Sequence, residues 1–217
     1  IDLQENSSML DLFKQSVDSY SKSIAYSQDG SELTFEALDK LSRNFAAYLQ
    51  NTLAIKKGDR VALMSPNLLS FPVAMWGIIR AGAIQVNVNP LYTPRELQHQ
   101  LNDAQVDTIV IFSASTAVLA EIKANTSVKN IITVDPSALK SINSAPLPID
   151  ERLEDTLSFA EAIKQGEQLS LVSPTLTGDD LLFLQYPGGT TGLSKGAMLS
   201  HGNILANILQ VKEALKN

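Results

Sequence analysis

The stretch GDRVALMSPNLLSFPVAMWGIIRAGAIQVNV, residues 58–88, joins two short apolar runs through a longer apolar one. The outer runs, residues 60–65 and 83–88, have the length and aliphatic character of buried strands. The middle run, residues 68–79, contains a serine and a proline and falls short of the roughly 20 apolar residues that a membrane span needs. We therefore predict two strands joined by a helix that is buried on most of its surface.

Cap and turn residues mark the ends of the helices in this region. Asn67 is predicted to cap the apolar helix, and Gly82 is predicted to close it. Further on, the run TPRE at residues 93–96 is a capping signature with proline at the first helical position. A second helix is therefore expected to run from this signature to about Ala104.

The same alternation of strands and helices extends in both directions. Residues 107–112 and 130–134 are typical of strands, with a helix predicted between them at residues 115–124. Towards the N-terminus, helical periodicity covers residues 9–20, and Thr34 is placed to cap the next helix. Apolar runs with little polar alternation indicate strands that are covered on both faces. The predicted fold class is α/β, a parallel sheet flanked by helices.

Residues 135–177 interrupt this alternation, because they are mostly polar and contain several prolines. We interpret them as an excursion on the surface of one domain, and a linker between two lobes is the alternative. Ser158 and Glu161 are spaced as a capping box, which predicts a short helix inside the excursion. Residues 179–186 then have the character of a strand.

The composition excludes several classes of function. The chain is 44% hydrophobic and 18% charged, an ordinary globular composition that allows one large core or two modest ones. Its net charge is -6 with basic residues scattered, so we expect no nucleic-acid partner. The absence of cysteine excludes disulfides and thiolate chemistry. With only His99 and His201 as imidazoles, no metal-ligand set can be assigned.

Near the C-terminus, LQYPGGTTGLSKGAMLSH at residues 184–201 places a glycine-rich loop between a strand and a second, short strand, AMLS. We call residues 187–196 the glycine–threonine loop. Its glycines allow backbone N–H groups to approach an anion, and Thr190 and Thr191 add hydroxyl donors. Lys195 adds a mobile positive charge suited to phosphate. A triphosphate site is predicted, and a plain glycine turn with a surface lysine is the alternative.

The loop is not the common P-loop. In that motif a glycine directly precedes the lysine and a hydroxyl residue follows it. Here Ser194 precedes Lys195 and Gly196 follows it. There is also no G-x-G-x-x-G loop after a strand, so a dinucleotide fold loses its main support. Ser200, just beyond the loop, is placed to cap a final helix that begins with His201.

PGGTTGLSKG resembles the phosphate-binding loop of the adenylate-forming superfamily, which includes acyl-CoA synthetases, firefly-luciferase-like enzymes and the adenylation domains of peptide synthetases. LTFEAL, residues 33–38, and IIRAGAIQVNVNP, residues 78–90, are similar to the first and second core motifs of that superfamily. The region from residue 58 to residue 103 is most similar to bacterial long-chain fatty-acid–CoA ligases. The resemblance implies that residues 1–217 are the N-terminal part of the large domain of the acyl-CoA synthetase-like fold. The rest of that domain and the C-terminal domain would lie beyond Asn217.

The resemblance also implies the chemistry. A carboxylate attacks the α-phosphate of ATP to give an acyl-adenylate and pyrophosphate, and coenzyme A then displaces AMP to give a thioester. It assigns Thr190, Thr191 and Lys195 to catalysis. The residues it assigns to nucleotide binding are Tyr186, Gly188, Gly189, Thr190, Thr191, Gly192, Lys195 and Gly196.

The implied substrates are a long-chain fatty acid, ATP and coenzyme A, with Mg²⁺ bridging phosphate oxygens. We expect a cytoplasmic enzyme that visits the inner membrane surface peripherally. We also expect an apolar surface on this chain that favours self-association or a homodimer. His201 is interpreted as a helix-start or hinge residue, His99 as solvated, and the Asp179–Asp180 pair as a turn or surface pair.

Pro187 departs from the pattern of the superfamily, in which Thr or Ser usually follows the tyrosine. Proline provides neither a hydroxyl nor an N–H, so we expect weaker or slower handling of the nucleotide. Two alternatives remain open: an adenylate-forming enzyme for an aryl or amino acid, and a non-catalytic binding module that retains the fold. The chain length of the acyl group cannot be derived from the residues present.

Overall fold

The computed structural model describes residues 7–139, 146–187 and 194–215. The chain forms a seven-stranded sheet with helices on both faces and a separate two-stranded hairpin. The helices are α1 Met9–Tyr20, α2 Phe35–Asn51, α3 Ser70–Arg80, α4 Pro94–Asp103, α5 Thr116–Ile122, α6 Phe159–Gly166 and α7 His201–Ala214. The strands are β1 Ile24–Gln28, β2 Ser31–Thr34, β3 Arg60–Met64, β4 Ile84–Asn87, β5 Thr108–Phe112, β6 Asn130–Val134, β7 Thr156–Ser158, β8 Leu181–Gln185 and β9 Ala197–Ser200.

The large sheet has the strand order β7-β6-β5-β3-β4-β8-β9. Every neighbouring pair is parallel except β8 and β9, which are antiparallel. The prediction of a parallel sheet flanked by helices is therefore confirmed, with one antiparallel strand at its edge. The reason for that exception is local, because the glycine–threonine loop is too short for the helical crossover that a parallel pair requires.

Strands β3, β4, β5 and β6 are buried on both faces because two layers of helices cover them. On β3, Val61 and Leu63 pack into a core with residues of α1, α2, α3 and α6. Ala62 and Met64 alternate to the other face, where they pack with residues of α4 and α5. This alternation explains why the strands are apolar throughout, and it leaves polar groups room mainly at the strand ends.

The apolar run at residues 68–79 is the buried helix α3, as predicted. Among the described residues, no helix combines the length and apolar character needed to cross a bilayer. Gly82 closes α3 with a φ of 82°, but the predicted cap at Asn67 is wrong. The N-cap is Leu69, which has no side-chain cap. The Gln28 side chain takes over this role, because its Oε1 accepts from the Leu69 amide at 3.2 Å.

The excursion at residues 135–177 belongs to the same sheet and core, so its described part is not a linker. Strand β7, which the sequence pattern did not reveal, pairs with β6. Phe159 of α6 packs edge-on against Phe45 of α2, with 4.7 Å between ring centroids. Only one of the two hydrogen bonds of the predicted capping box forms. The Ser158 side chain accepts from the Glu161 amide, whereas the Glu161 carboxylate accepts from Gln165 and not from the Ser158 amide.

Helices α2 and α6 approach so closely that their contact requires glycine. A Cβ on Gly166 would lie 1.8 Å from the backbone oxygen of Asn44. A Cβ on Gly77 of α3 would likewise lie 2.5 Å from the ring of Phe45. Both distances are far below van der Waals contact, so the three helices form a tight layer over one face of the sheet.

Candidate functional site

Strands β8 and β9 frame the glycine–threonine loop. Strand β8 lies between β4 and the edge strand β9, with Gln185 opposite Asn87 of β4. Strand β9 returns antiparallel to β8, with Ala197 opposite Gln185. The ladder holds both ends of the loop close together at the carboxyl edge of the parallel strands, which is where α/β folds commonly bind ligands.

The predicted nucleotide-binding residues fall into two groups. Tyr186, Lys195 and Gly196 lie in the described ranges. The remaining members lie outside the described residues, and they are Gly188, Gly189, Thr190, Thr191 and Gly192. We therefore distinguish a first stem, residues 186–187, and a second stem, residues 194–196. Lys195 is exposed at the second stem, and Pro187 is exposed at the first.

Tyr186 of the first stem contacts both α4 and the second stem. Its side chain is buried, and its hydroxyl donates to a carboxylate oxygen of Asp103 at 2.6 Å. Burial, reinforced by the Asp103 carboxylate, raises the pKa of Tyr186 above its usual value. The phenol thus stays protonated at neutral pH and remains a donor. A Cβ on Gly196 would lie 2.9 Å from the Tyr186 ring, so the second stem packs directly on the first.

Ser194 closes the base of the loop. Its Oγ donates to the backbone oxygen of Pro187 at 3.0 Å. Its own backbone oxygen lies 2.8 Å from Nε2 of His99 on α4. Because a carbonyl only accepts, Nε2 carries the hydrogen. The prediction that His99 is solvated holds only in part, because its side chain is half-buried and its Nε2 contacts the second stem.

A cleft of about 520 Å³ opens beside the first stem. It lies at the carboxyl ends of β3, β4 and β8, and its lining residues are Leu63, Phe71, Asn87, Val88, Asn89, Pro90, Tyr92, Gln185 and Tyr186. The connection that leaves β3 passes over one face of the sheet through α3, and the one that leaves β4 passes over the other through α4. A cleft at such a divergence is a common position for ligand binding.

Polar side chains join β4 and β8 at the edge of the cleft. Nδ2 of Asn87 donates to Gln185 at 2.8 Å, and Nε2 of Gln85 donates to Asn87 at 2.5 Å. Gln85 is almost fully buried, and among the described residues its Oε1 has no partner. Sequence reasoning missed this group, although the alternating Gln and Asn in the otherwise apolar run AIQVNV were the available signal.

His201 begins α7, as predicted. Its side chain is buried, and its Nδ1 accepts from the Met9 amide at 3.0 Å. Burial lowers the pKa of His201, so the imidazole stays neutral. The predicted turn at Asp180 is also confirmed, because its carboxylate accepts from the Thr177 amide and pairs with Lys57 at 2.8 Å.

A metal ligand set is not found in the part of the chain that the structure describes. No three His, Asp or Glu side chains converge there closely enough to hold an ion. Asp103, the carboxylate nearest to the stems by its contacts, already accepts from Tyr186. No described residue is therefore assigned to a metal ion.

Comparison with family models matches residues 13–217 to the family described as AMP-binding enzyme. The chain is 48% identical over 217 residues to a long-chain-fatty-acid–CoA ligase of Escherichia coli O6:H1, covering 94% of this chain and 38% of that protein. It is 43% identical over 223 residues to a long-chain-fatty-acid–CoA ligase of Haemophilus influenzae, covering 98% and 40%. The chain thus spans about two fifths of the length of these relatives.

Solved structures give the same fold. The anthranilate CoA ligase AuaEII in complex with anthranoyl-AMP matches with a TM-score of 0.78 at 22% identity. The match covers 92% of this chain and 36% of that one. At this level of identity the likeness concerns the fold alone, and it confirms the predicted fold class.

Proposed function

Because the chain belongs to the AMP-binding enzyme family, we propose that it is the N-terminal part of an ATP-dependent long-chain fatty-acid–CoA ligase. The full-length protein would join a fatty acid to the AMP part of ATP and release pyrophosphate. It would then transfer the acyl group from AMP to coenzyme A. The high identity to bacterial ligases with this name supports the proposed substrate class.

The observation that carries the proposal is the position of the loop stems. Both stems leave the β8–β9 ladder at the carboxyl edge of the sheet, beside the cleft. A substrate in the cleft would lie next to an anion bound by the loop. The first reaction step requires this arrangement, because the carboxylate must attack the α-phosphate in line with the departing pyrophosphate.

In this proposal, the loop residues bind the β- and γ-phosphates. Backbone N–H groups of Gly188, Gly189 and Gly192 would donate to phosphate oxygens, together with the hydroxyls of Thr190 and Thr191. Lys195 would neutralise the charge that develops on the leaving pyrophosphate. Tyr186 and Gly196 would support the loop, since their mutual packing fixes the distance between the stems.

Mg²⁺ and coenzyme A belong to the proposal through the family. Mg²⁺ neutralises phosphate charge in ATP-dependent phosphoryl chemistry. No described residue is assigned to Mg²⁺, since no cluster of three or more candidate ligands was found among the described residues. The residues that would bind coenzyme A are likewise not assigned.

Two further properties complete the proposal. Self-association of this chain is supported by large apolar side chains that are exposed on β9, on α7 and directly after α7, namely Met198, Leu209, Val211 and Leu215. The proposed location is the cytoplasm, with peripheral visits to the inner membrane surface where a long-chain fatty acid resides. A test of the second property is the binding of the full-length protein to vesicles that contain oleate.

A second candidate is a non-catalytic binding module, and the observation that favours it is Pro187. Its exposed ring occupies the position at which Thr or Ser is usual in the superfamily that the chain resembles. The described stems, however, retain the lysine and the tightly packed glycine that a binding loop needs, which supports the ligase.

Exchange of labelled pyrophosphate into ATP by the full-length protein would test the proposal. The assay compares fatty acids of graded chain length with an aryl acid and an amino acid. Exchange that peaks with long-chain fatty acids is the expected result. Exchange that peaks with another acid would keep the adenylation chemistry and replace the substrate. No exchange by folded protein with any acid would contradict the ligase and favour the binding module.

A further inference from the structure

We propose that His99 and Asp103 of α4 are positioning residues that hold the two stems of the glycine–threonine loop at the spacing needed for adenylation. His99 binds the second stem through the Ser194 carbonyl, and Asp103 binds the first stem through the Tyr186 hydroxyl. This inference rests on the proposed function, since it assigns a role in that reaction to two residues outside the loop motif.

The two residues act together because they share one helical face. Positions four apart on a helix lie above one another, so His99 and Asp103 are neighbours along α4. The stems also contact each other, through the Ser194 Oγ bond to Pro187 and through Gly196 on the Tyr186 ring. Stems and helix therefore form one closed set of contacts, and a shift of one stem strains all of them.

Helix α4 is a rigid base for these contacts. A reciprocal capping box at Thr93 and Glu96 fixes its first turn. Leu97 and Leu101 are fully buried in the core beneath it, and Gln100 donates to the Asn87 backbone oxygen at 2.7 Å. A helix fixed at its cap, its apolar side and the end of β4 can transmit the position of the sheet to the loop.

The bonds are suited to positioning. Asp103 is an anionic acceptor, and such charge-assisted hydrogen bonds are shorter and stronger than neutral ones. His99 donates to a backbone oxygen, so it fixes the main chain directly beside Lys195. Small misplacements of groups that bind a transition state lower the rate strongly, even when the groups that hold them never touch the substrate.

Paired variants in the full-length protein separate the hydrogen bond from the shape of the side chain. His99→Leu removes the donor, and His99→Gln restores an N–H of similar reach. Asp103→Ala removes the acceptor, and Asp103→Asn retains an uncharged one. Asn102→Ala is the matched control, since Asn102 lies on the same helix and donates at 3.0 Å to the Asn125 backbone, away from the loop.

Pyrophosphate exchange with a long-chain fatty acid is the readout, with KM and kcat determined for each substrate. We expect His99→Leu and Asp103→Ala to lower kcat/KM for ATP roughly three- to tenfold, the effect of one lost hydrogen bond. KM for the fatty acid should stay unchanged. His99→Gln and Asp103→Asn should recover most of the loss, and Asn102→Ala should match the wild type.

Thermal unfolding of each variant distinguishes positioning from a merely structural role. Variants that unfold at lower temperature but keep kcat/KM for ATP would overturn the proposal, and so would equal losses for ATP and fatty acid. An absence of rescue by both conservative variants would also contradict it. A wild-type protein without any exchange would instead refute the proposed function, so the two failures are distinguishable.

Discussion

His201 is a titratable residue whose burial couples stability to pH. Its imidazole accepts from the Met9 amide and is removed from water. Burial is the main cause that lowers the pKa of His201, while Asp180 and Asp11 oppose the shift and Lys57 adds to it. In the unfolded chain the imidazole has its ordinary pKa of 6.5. Below that pH the unfolded state binds a proton that the folded state resists, so acid favours unfolding.

We therefore predict that the free energy of unfolding falls as the pH is lowered from 7.5 to 5.5. The contribution of His201 is fully present above the unfolded pKa and is lost as the pH falls towards the lowered folded pKa. His201→Asn keeps an acceptor for Met9 but does not titrate, so its stability should change less over this range. Urea denaturation at each pH is the measurement, and identical slopes for both proteins would contradict the prediction.

Pro187 offers a second prediction for a single residue. In the full-length protein, Pro187→Thr should raise kcat/KM for ATP by roughly two- to tenfold, the range of one added hydrogen bond, because threonine restores a hydroxyl and an N–H at the loop entrance. Pro148→Thr is the matched control, since Pro148 is exposed in the excursion. Unchanged pyrophosphate-exchange kinetics for Pro187→Thr would show that this position makes no phosphate contact.

Single-residue expectations differ in how well the sequence supports them. Thr34 and Ser200 are caps as predicted, because their partners lie within the same turn of chain. The cap at Asn67 failed, because the amide of Leu69 is satisfied by Gln28 from a distant strand. The contact of His99 with Ser194 was missed for the same reason, since the two residues are 95 positions apart. Contacts across long sequence separations leave no periodic signal, whereas local ones do.

At the scale of elements, the contact between α2 and α6 is the tightest constraint. The backbone of α6 at Gly166 touches the carbonyl of Asn44, so no side chain fits there. We predict that Gly166→Ala lowers the free energy of unfolding by about 2–3 kcal/mol, the upper part of the usual range for overpacking. Urea denaturation measures the change.

A glycine–alanine exchange at an exposed position of α6 is the control for this prediction. Ala160→Gly should cost only about 0.5–1 kcal/mol, from helix propensity alone. If helix propensity also dominated at residue 166, the alanine variant would be the more stable protein. That outcome would mean that α6 does not pack against α2 at the described distance.

Elements with a clear period or a cap signature were predictable, whereas the shortest strand of the large sheet was not. Strands β3, β4, β5 and β6 and helices α1 to α5 follow from apolar spacing and caps. Strand β7 has only three residues, one of them exposed, and is recognisable only beside β6. The antiparallel direction of β9 follows from the short loop that precedes it, but the prediction of a parallel sheet did not include this exception.

For the whole molecule, we predict that residues 1–217 form no fatty-acyl-CoA on their own. By resemblance, the magnesium-binding glutamate, the ribose-binding aspartate and the C-terminal domain with its lysine lie beyond the loop. The chain spans 38% of the length of its Escherichia coli relative. The measurement is thioester formation by the purified chain, with the full-length protein as control. Thioester formed by the chain free of contaminating ligase would refute the prediction.

The contact between Met9 and His201 also has a consequence for synthesis in the cell. The two residues are 192 positions apart, yet their helices meet. A ribosome adds about 5–20 residues per second, so α1 waits roughly 10–40 s for α7 to be made. During this interval the capped N-terminal helix can pack only on partners already synthesised, such as Trp76, against which Phe13 stacks at 4.1 Å. Helix α1 can thus pack against α3 early in synthesis, whereas its hydrogen bond to His201 forms only after α7 has been made.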